Sequence, residues 1–174
     1  MLTIFHNPRC SKSRETLALL QQHGAALHVV DYLQTPPSEH HLAALLQLEG
    51  VEVLSVQKGE AVEQIKALTP GCRLRNLSPE IQSFEDTAAI LSEVDELVTV
   101  DTSVAHLAGG LGCQVRVLLP LIPDWRWLLS RADSPWYPTA RLYRQTARGA
   151  WAEPVAALVA DVANAARAQR PETP

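Results

Sequence analysis

Residues 97–119 carry the sequence LVTVDTSVAHLAGGLGCQVRVLL, and this stretch decides the fold class. Residues 97–100 predict a buried strand that ends at Asp101. Residues 103–111 are mostly small and apolar and predict a helix, and residues 115–119 predict a second buried strand. A strand, a helix and a strand in this order form the building unit of a parallel sheet.

The same alternation extends outward through the rest of the chain. Further strands are predicted over residues 2–6, 27–31, 51–56, 73–77 and 141–143. Helical spacing of apolar residues occurs over 11–23, 42–46, 62–68, 88–91 and 155–166. The pattern predicts an α/β protein with a parallel, doubly wound sheet that has helices on both faces.

The composition excludes several classes of function. The chain has 174 residues, 47% of them hydrophobic and 20% charged, which is typical of one packed globular domain. A net charge of −4 without a basic stripe argues against nucleic-acid binding. No apolar run reaches the length of about 20 residues that a membrane span needs. Three widely spaced cysteines fit neither a disulfide framework nor a metal site, so we expect no metal and a reduced, cytoplasmic setting.

Basic residues are not evenly distributed. Arginines become denser after Arg126, at Arg131, Arg141, Arg144 and Arg148. They either serve a small anionic ligand or form a solvated face of the protein.

A cysteine lies between the first predicted strand and the first predicted helix. Cys10 would then stand at the helix N-terminus, where free backbone amides and the helix dipole favour negative charge. Such a place lowers the pKa of a thiol, and the thiolate is the nucleophilic form. Arg9, Lys12 and Arg14 add positive charge around it. The alternative is a cysteine that only fills a turn.

The sequence around Cys10 resembles a known family. Residues 6–17, HNPRCSKSRETL, and residues 31–38, DYLQTPPS, resemble the glutaredoxin-linked arsenate reductases. The resemblance covers residues 1–50 and implies a thioredoxin-like βαβα front in which Cys10 attacks the oxyanion, with glutathione and glutaredoxin as reductant. It implies that His6 and Arg14 tune the thiol.

By the same resemblance, an oxyanion-binding loop contains Asn7, Arg9, Ser11, Lys12 and Ser13. The later half of that family, which supplies further arginines to the arsenate adduct, is not found after Gly50. We therefore expect a poor reductase, because stabilisation of developing charge is usually the largest catalytic contribution.

A second set of candidate residues follows the strand at 97–100. Hydroxyl groups of Thr102 and Ser103, with the free amides of the first helical turn, suit a diphosphate, and Asp101 could bind ribose or sugar hydroxyls. Ligands of open α/β sheets bind at the carboxyl ends of the strands. The alternatives are an ordinary helix cap at Asp101 and Thr102 and a His106 that is merely packed.

Several blocks in the second part of the chain share one resemblance. They are SVQKGE at 55–60, FEDTAA at 84–89, residues 101–112, PDWRW at 123–127, SPWYP at 134–138 and LYRQ at 142–145. Together they resemble the heptosyltransferase-like glycosyltransferases, especially the type found behind tetratricopeptide repeats. The resemblance covers residues 48–168, which correspond to the Rossmann-like C-terminal half that binds the nucleotide-sugar donor.

This resemblance implies roles for individual residues. Lys58 would meet the diphosphate, Asp101, Thr102 and Ser103 would meet the phosphates and sugar, and His106 would lie in the same pocket. Trp125 and Trp127 either belong to the core or touch the ligand. The acceptor half of the family, with the expected general base, is not found in the sequence, so we expect donor binding rather than transfer.

We interpret the chain as a chimera of two unlike segments. Residues 1–50 form the reductase-like segment, residues 51–169 the transferase-like segment, and residues 170–174 a frayed tail. Because no flexible linker separates the segments, we expect one merged domain with a single sheet. The main functional hypothesis is a module that binds a nucleotide sugar. The alternatives are a thiol oxidoreductase that uses Cys10 and a fusion product without function. The expected partners are a small nucleotide or oxyanion and glutaredoxin.

Overall fold

A computed structural model describes residues 2–6, 11–24, 26–31, 43–59, 62, 65 and 74–169. The chain divides into two compact units, residues 1–36 and residues 37–174. The sequence analysis placed this boundary at residue 50. The expected merger of the two segments into one cooperatively folding domain stays a prediction.

The first unit is a strand, a helix and a strand. Strand β1 is Leu2–His6, helix α1 is Ser11–Gln22, and strand β2 is Leu27–Asp31. The two strands are parallel and in register from Leu2 opposite Leu27 to His6 opposite Asp31. Gly24, with φ of +68°, follows the helix and turns the chain toward β2. The predicted bounds of both strands are confirmed, while the second helix of the predicted βαβα front begins in residues outside the described ones.

The described residues of the second unit include five strands in two parallel sheets. Strand β3, Val53–Ser55, pairs with β4, Leu74–Asn76. Strands β5, β6 and β7 lie side by side in that order, and their bounds are Glu96–Val100, Gln114–Leu119 and Ala140–Arg144. Both pairs in this sheet are parallel. The α/β class with parallel strands is therefore confirmed.

Three α-helices lie in the part of the second unit that the structure describes. Helix α2 is Phe84–Glu93, α3 is Ser103–Leu111, and α4 is Ala152–Ala168. Short 3-10 helices cover Leu45–Gln47 and Trp125–Trp127. The predicted stop of α3 is confirmed, because Gly112 takes the left-handed conformation with φ of +79° and its N–H bonds back to the helix.

Helices cover both faces of the β5–β6–β7 sheet because its side chains alternate between them. One face packs against α2 and α3 in a cluster that includes Leu91, Ala105, Ala108, Val115, Val117, Leu119 and Trp127. The other face packs against α4 in a cluster made of Leu118, Tyr143, Trp151, Val155 and Leu158. This arrangement is the predicted doubly wound one.

A polar network joins the sheet to α4. The Arg116 guanidinium donates two hydrogen bonds of 2.6 Å to Glu96 and one of 2.8 Å to the hydroxyl of Tyr143. That hydroxyl donates in turn to Asp161 of α4 at 2.7 Å. Burial, and then the bond to Asp161, raises the pKa of Tyr143 to about 12. The phenol therefore stays neutral and keeps its place between the sheet and the helix.

The expectation of one continuous sheet is wrong for the described residues. Their strands form three separate sheets, β1–β2, β3–β4 and β5–β6–β7. Within the second unit, β3 and β5 both line an open cleft of about 1200 Å³. No ladder hydrogen bonds join β3 to β5.

Candidate functional site

The N-terminus of α3 lies at the carboxyl end of β5, where the parallel strands of this sheet end together. Thr102 is the N-cap residue, with extended backbone (φ −143°, ψ 166°), and its side chain makes no capping hydrogen bond. Its hydroxyl instead pairs with the hydroxyl of Thr99 at 3.2 Å. Thr102 and Ser103 are both exposed. The first turn of α3 therefore presents N–H groups that no described side chain caps.

Helix α2 offers a direct contrast. Its N-cap, Ser83, accepts a hydrogen bond from the Asp86 amide at 3.2 Å. The Asp86 carboxylate accepts from the amides of Gln82 at 2.8 Å and Ser83 at 2.9 Å, which lowers the pKa of Asp86. These reciprocal hydrogen bonds form a capping box. Protein side chains thus occupy the start of α2, whereas Thr102 leaves the start of α3 without a side-chain cap.

Asp101 and His106 meet side chains from a distant loop. The Trp127 indole N–H donates to Oδ1 of Asp101 at 2.8 Å. His106 stacks on the Trp127 ring with centroids 5.0 Å apart, and its Nδ1 is 3.0 Å from the Tyr137 hydroxyl. Nε2 of His106 is 4.0 Å from Oδ1 of Asp101. His106 is thus packed against two aromatic side chains, and 30% of its own side chain stays exposed.

The residues that hold Asp101 and His106 in place were not predicted to be site residues. Trp127 is fully buried, which decides between its two alternatives in favour of the core. Tyr137 is positioned by Ser134, whose hydroxyl accepts the backbone amides of Trp136 and Tyr137 at 3.2 and 3.3 Å. The signal was present in the PDWRW and SPWYP blocks, but nothing in their spacing shows that they reach Asp101.

Lys58 lies near the start of α2. Its ammonium group donates to the backbone carbonyl oxygens of Ser78, at 3.0 Å, and Ile81. Two of its three N–H groups are thereby engaged. Lys58, Thr102 and Ser103 all line the cleft of about 1200 Å³. The structure thus brings these three predicted residues to one cleft, whereas Asp101 and His106 pack on the side of Trp127 and Tyr137.

The later arginines are bound by protein groups. Arg131 pairs with Asp133 at 2.6 Å, which raises the pKa of the arginine. Arg141 pairs with Asp161 at 3.2 Å. Arg144 donates to the carbonyl oxygens of Arg131 at 2.8 Å and Leu128 at 2.9 Å, and to that of Trp127. Arg131, Arg141 and Arg144 therefore do not form an anion-binding patch.

The predicted thiol site lies only partly in the described residues. Cys10, Asn7 and Arg9 are outside them. His6 ends β1, the backbone of Ser11, Lys12 and Ser13 forms the first turn of α1, and Arg14 follows as an exposed residue. The roles assigned to these residues stay predictions. No metal role is added, because the described His, Cys, Asp and Glu residues include no group of three that could hold an ion.

None of the described helices has both the length and the apolar character that crossing a membrane demands.

Comparison with known proteins finds two kinds of similarity. The sequence model of glycosyltransferase family 9 (heptosyltransferase) matches residues 8–116. The arsenate reductase of Rhizobium meliloti is 32% identical over 123 residues, which are 71% of this chain and 82% of that protein. The arsenate reductase of Neisseria meningitidis serogroup B is 50% identical over 50 residues, or 29% of this chain and 43% of that protein.

Other relatives match over a similarly short length. The uncharacterized protein YfgD of Escherichia coli K12 is 54% identical over 48 residues, or 28% of this chain and 40% of that protein. The chain thus spans less than half of the neisserial and E. coli relatives. No solved structure matches the chain.

Proposed function

The chain belongs to glycosyltransferase family 9 (heptosyltransferase) and to the arsenate reductase family, and from this premise we propose that residues 37–174 bind the nucleoside diphosphate of a nucleotide-sugar donor. The observation that carries the proposal is the N-terminus of α3. It lies at the carboxyl end of β5, its Thr102 and Ser103 are exposed, and no described side chain caps it.

The chemistry of this helix end suits a diphosphate. The aligned peptide dipoles place about half a positive charge there, and amides at the start of the helix can donate to an anion. The amide of Ala105 already donates to the carbonyl oxygen of Thr102 at 3.1 Å, so the amides before it are the ones proposed to bind. The hydroxyls of Thr102 and Ser103 can donate further hydrogen bonds. The ammonium group of Lys58, on the same cleft, adds a full positive charge. The site is therefore positive without being strongly basic.

Asp101 and His106 would contact the sugar side of the donor in this proposal. Oδ1 of Asp101 is taken by the Trp127 indole, which leaves Oδ2 to accept a sugar hydroxyl. The Tyr137 hydroxyl holds Nδ1 of His106, so Nε2 is the atom left for a ligand. In a transfer reaction the anomeric carbon of the sugar forms a bond to an acceptor hydroxyl oxygen, which loses its proton to a base. The bond from the sugar to the diphosphate breaks at the same time, and the nucleoside diphosphate leaves as an anion. Helix amides aimed at that anion would stabilise the departing charge.

The test is whether ADP and UDP bind to the protein, measured as a rise in its melting temperature. A ligand at 100 times its dissociation constant adds about 2.7 kcal/mol to stability, which corresponds to a rise of roughly 5–11 °C for a protein of this size. Tryptophan fluorescence suits the measurement, since all four tryptophans lie in residues 37–174.

A charge-placing variant makes the test specific. Ser103→Asp puts a carboxylate at the helix end, where it favours folding by about 0.3–1 kcal/mol but repels phosphate. Ala152→Asp is the matched control, because it adds the same charge to an exposed position in the first turn of α4. We expect Ser103→Asp to abolish the nucleotide effect and Ala152→Asp to retain it. Equal binding by both variants would refute the site.

A second function is favoured by the position of α1. The helix begins at Ser11, the residue after Cys10, and its first turn contains no acidic side chain. We propose that the Cys10 thiolate attacks an arsenate-type oxyanion and displaces a hydroxide, which leaves as water once protonated. Glutathione, with glutaredoxin, would then supply the electrons that reduce the adduct.

The rate of Cys10 alkylation against pH tests this second function. Peptide mass spectrometry separates Cys10 from Cys72 and Cys113 in the same sample, so these two cysteines serve as internal controls. We expect Cys10 to react at lower pH than they do. A Cys10 that titrates near the ordinary thiol value of about 8.5 contradicts the proposal.

A further inference from the structure

Two tryptophans form an exposed corner next to the candidate site. The two indoles of the 3-10 helix Trp125–Trp127 lie in different environments, since Trp127 is fully buried and Trp125 is 65% exposed. Trp136, 57% exposed, stands edge-on to Trp125 with ring centroids 6.4 Å apart and planes at 85°. We call Trp125 and Trp136 the tryptophan corner. Large aromatic rings left in solvent at this density are typical of binding surfaces.

The corner is held firmly in place. Oδ1 of Asp124 accepts from the backbone amide of Arg126 at 3.0 Å and from its guanidinium at 2.9 Å. That guanidinium lies over the Trp125 ring, 4.7 Å from its centroid. The Trp136 indole donates to the carbonyl oxygen of Arg126 at 3.1 Å. Both rings are therefore fixed before any ligand arrives, which reduces the entropy lost on binding.

The adjoining backbone is held at an energetic cost. Leu128 has φ of +58°, a left-handed conformation that costs a residue with a side chain free energy. The guanidinium of Arg144 holds this backbone by donating to the carbonyl oxygens of Trp127, Leu128 and Arg131. Strained backbone that its surroundings hold in place is characteristic of ligand-binding segments.

The corner also lies at the binding edge of the sheet. Its loop follows the carboxyl end of β6, while α3 follows the carboxyl end of the parallel neighbour β5. Trp127 connects the two, because its indole bonds to Asp101. Ligands of open α/β sheets bind along this edge.

The charges around the corner indicate a neutral ligand. Arg126 is paired with Asp124 and Arg131 with Asp133, so the positive charges of this loop are matched by carboxylates. The guanidinium of Arg144, which reaches this loop from β7, is taken up by three backbone carbonyl oxygens rather than by a carboxylate. The rings of Trp125 and Trp136 are nearly perpendicular. A flat nucleotide base stacks best between two parallel rings, so this geometry suits a puckered sugar ring with polar edges better.

We propose that the tryptophan corner is a saccharide subsite that takes a neutral pyranose ring. The inference rests on the proposed donor binding, which it extends to a second sugar bound beside the donor. The C–H face of the sugar packs on the open face of Trp125, and the edge of Trp136 closes the side. Hydroxyl groups at the rim meet Arg126 and Asp124, which are both partly exposed.

Nitrogen-15 spectra of the indole N–H groups test the subsite and the donor site separately. The chain has four tryptophans, so each signal is assigned by single substitution. The probes are ADP, maltotriose and the trimer of N-acetylglucosamine, at millimolar concentration. We expect at least one saccharide to shift Trp125 and Trp136 and ADP to shift Trp127, with the buried Trp151 as an internal reference.

Variants of the same loop sharpen the result. Trp125→Ala removes an exposed ring and is expected to weaken saccharide binding about tenfold, in the range of an aromatic contact. Leu129→Ala is the matched control, since Leu129 is 76% exposed on the same loop, and it should bind as the unsubstituted protein does. Equal weakening by both variants would overturn the assignment to Trp125.

The outcomes of the two proposals are distinguishable. If ADP shifts Trp127 while no saccharide shifts the corner, the subsite is wrong and donor binding stands. If a saccharide shifts the corner while ADP leaves Trp127 unchanged, donor binding is wrong and the corner still binds sugar. If the corner signals change only with protein concentration, a second copy of the chain occupies it and the subsite is refuted.

Discussion

Gly109 and Gly110 are neighbours in α3, and alanine at these two positions should change stability in opposite directions. A Cβ atom at Gly110 would have no atom within 4 Å. A Cβ atom at Gly109 would lie 2.6 Å from Cδ1 and 3.0 Å from Cβ of Tyr137, closer than real side chains approach. The two glycines share the same helix and therefore the same intrinsic helix preference, so the difference isolates the contact with Tyr137.

The magnitudes follow from helix propensity and packing. Alanine is favoured over glycine in a helix interior by about 0.8–1 kcal/mol, so Gly110→Ala should stabilise by that amount. Overpacking costs about 1–3 kcal/mol and exceeds the same gain at Gly109. The net effect there is a loss of up to about 2 kcal/mol. At roughly 2–4 °C per kcal/mol, the two melting temperatures should differ by about 2–12 °C.

Urea unfolding followed by tryptophan fluorescence is the assay, because it reports residues 37–174 alone. Tyr137 is not free to move away from an added Cβ atom. Its hydroxyl is 3.0 Å from Nδ1 of His106, and its backbone amide donates to the hydroxyl of Ser134. Tyr137→Ala should therefore remove the penalty of Gly109→Ala in a double-mutant cycle. Equal midpoints for the two single variants, or a penalty that persists without Tyr137, would refute the close approach of α3 and Tyr137.

Two further predictions concern the cap of α2 and the contact of the sheet with α4. Ser83→Ala removes the capping box of α2 and should cost about 1 kcal/mol, seen as a lower urea midpoint, while an unchanged midpoint would mean that the cap does not contribute. The pKa of Tyr143 is raised from 10.0 to about 12, so its contribution to stability is complete below pH 10.0 and is lost as the pH rises through about 12. An ultraviolet absorbance titration should show one late tyrosine step that disappears in Tyr143→Phe, and a late step that survives this change would contradict the assignment.

The capping pattern explains why part of the candidate site was predictable. A helix cap depends on residues within about four positions of one another. Ser83 and Asp86 are three positions apart, so they are a signal of this local kind, and the structure has the capping box. For the start of α3 the sequence left two alternatives, a diphosphate site at Thr102 and Ser103 or an ordinary helix cap, and in the structure the Thr102 side chain makes no capping hydrogen bond. Whether a nucleotide binds there stays a prediction.

Other parts of the site could not be predicted from local patterns. The single sheet expected from the unbroken alternation of strands and helices is absent in the described residues, because the alternation does not specify which strands pair. The sequence likewise did not decide whether Trp125 and Trp127 belong to the core or touch the ligand. Both belong to one 3-10 turn, and only the packing of that turn against α3 decides that Trp127 is buried and Trp125 exposed.

By itself, the sequence determined the α/β class, the bounds of β1 and β2, and the start and stop of α3, because periodicity and end signals act over a few residues. The tertiary structure alone decided which polar groups meet. Asp101 and Trp127 are 26 residues apart, and His106 and Tyr137 are 31 residues apart. Contacts of that separation form only when the loop after β6 folds back over α3, and the free energy that holds it comes from buried surface contributed by many distant residues at once.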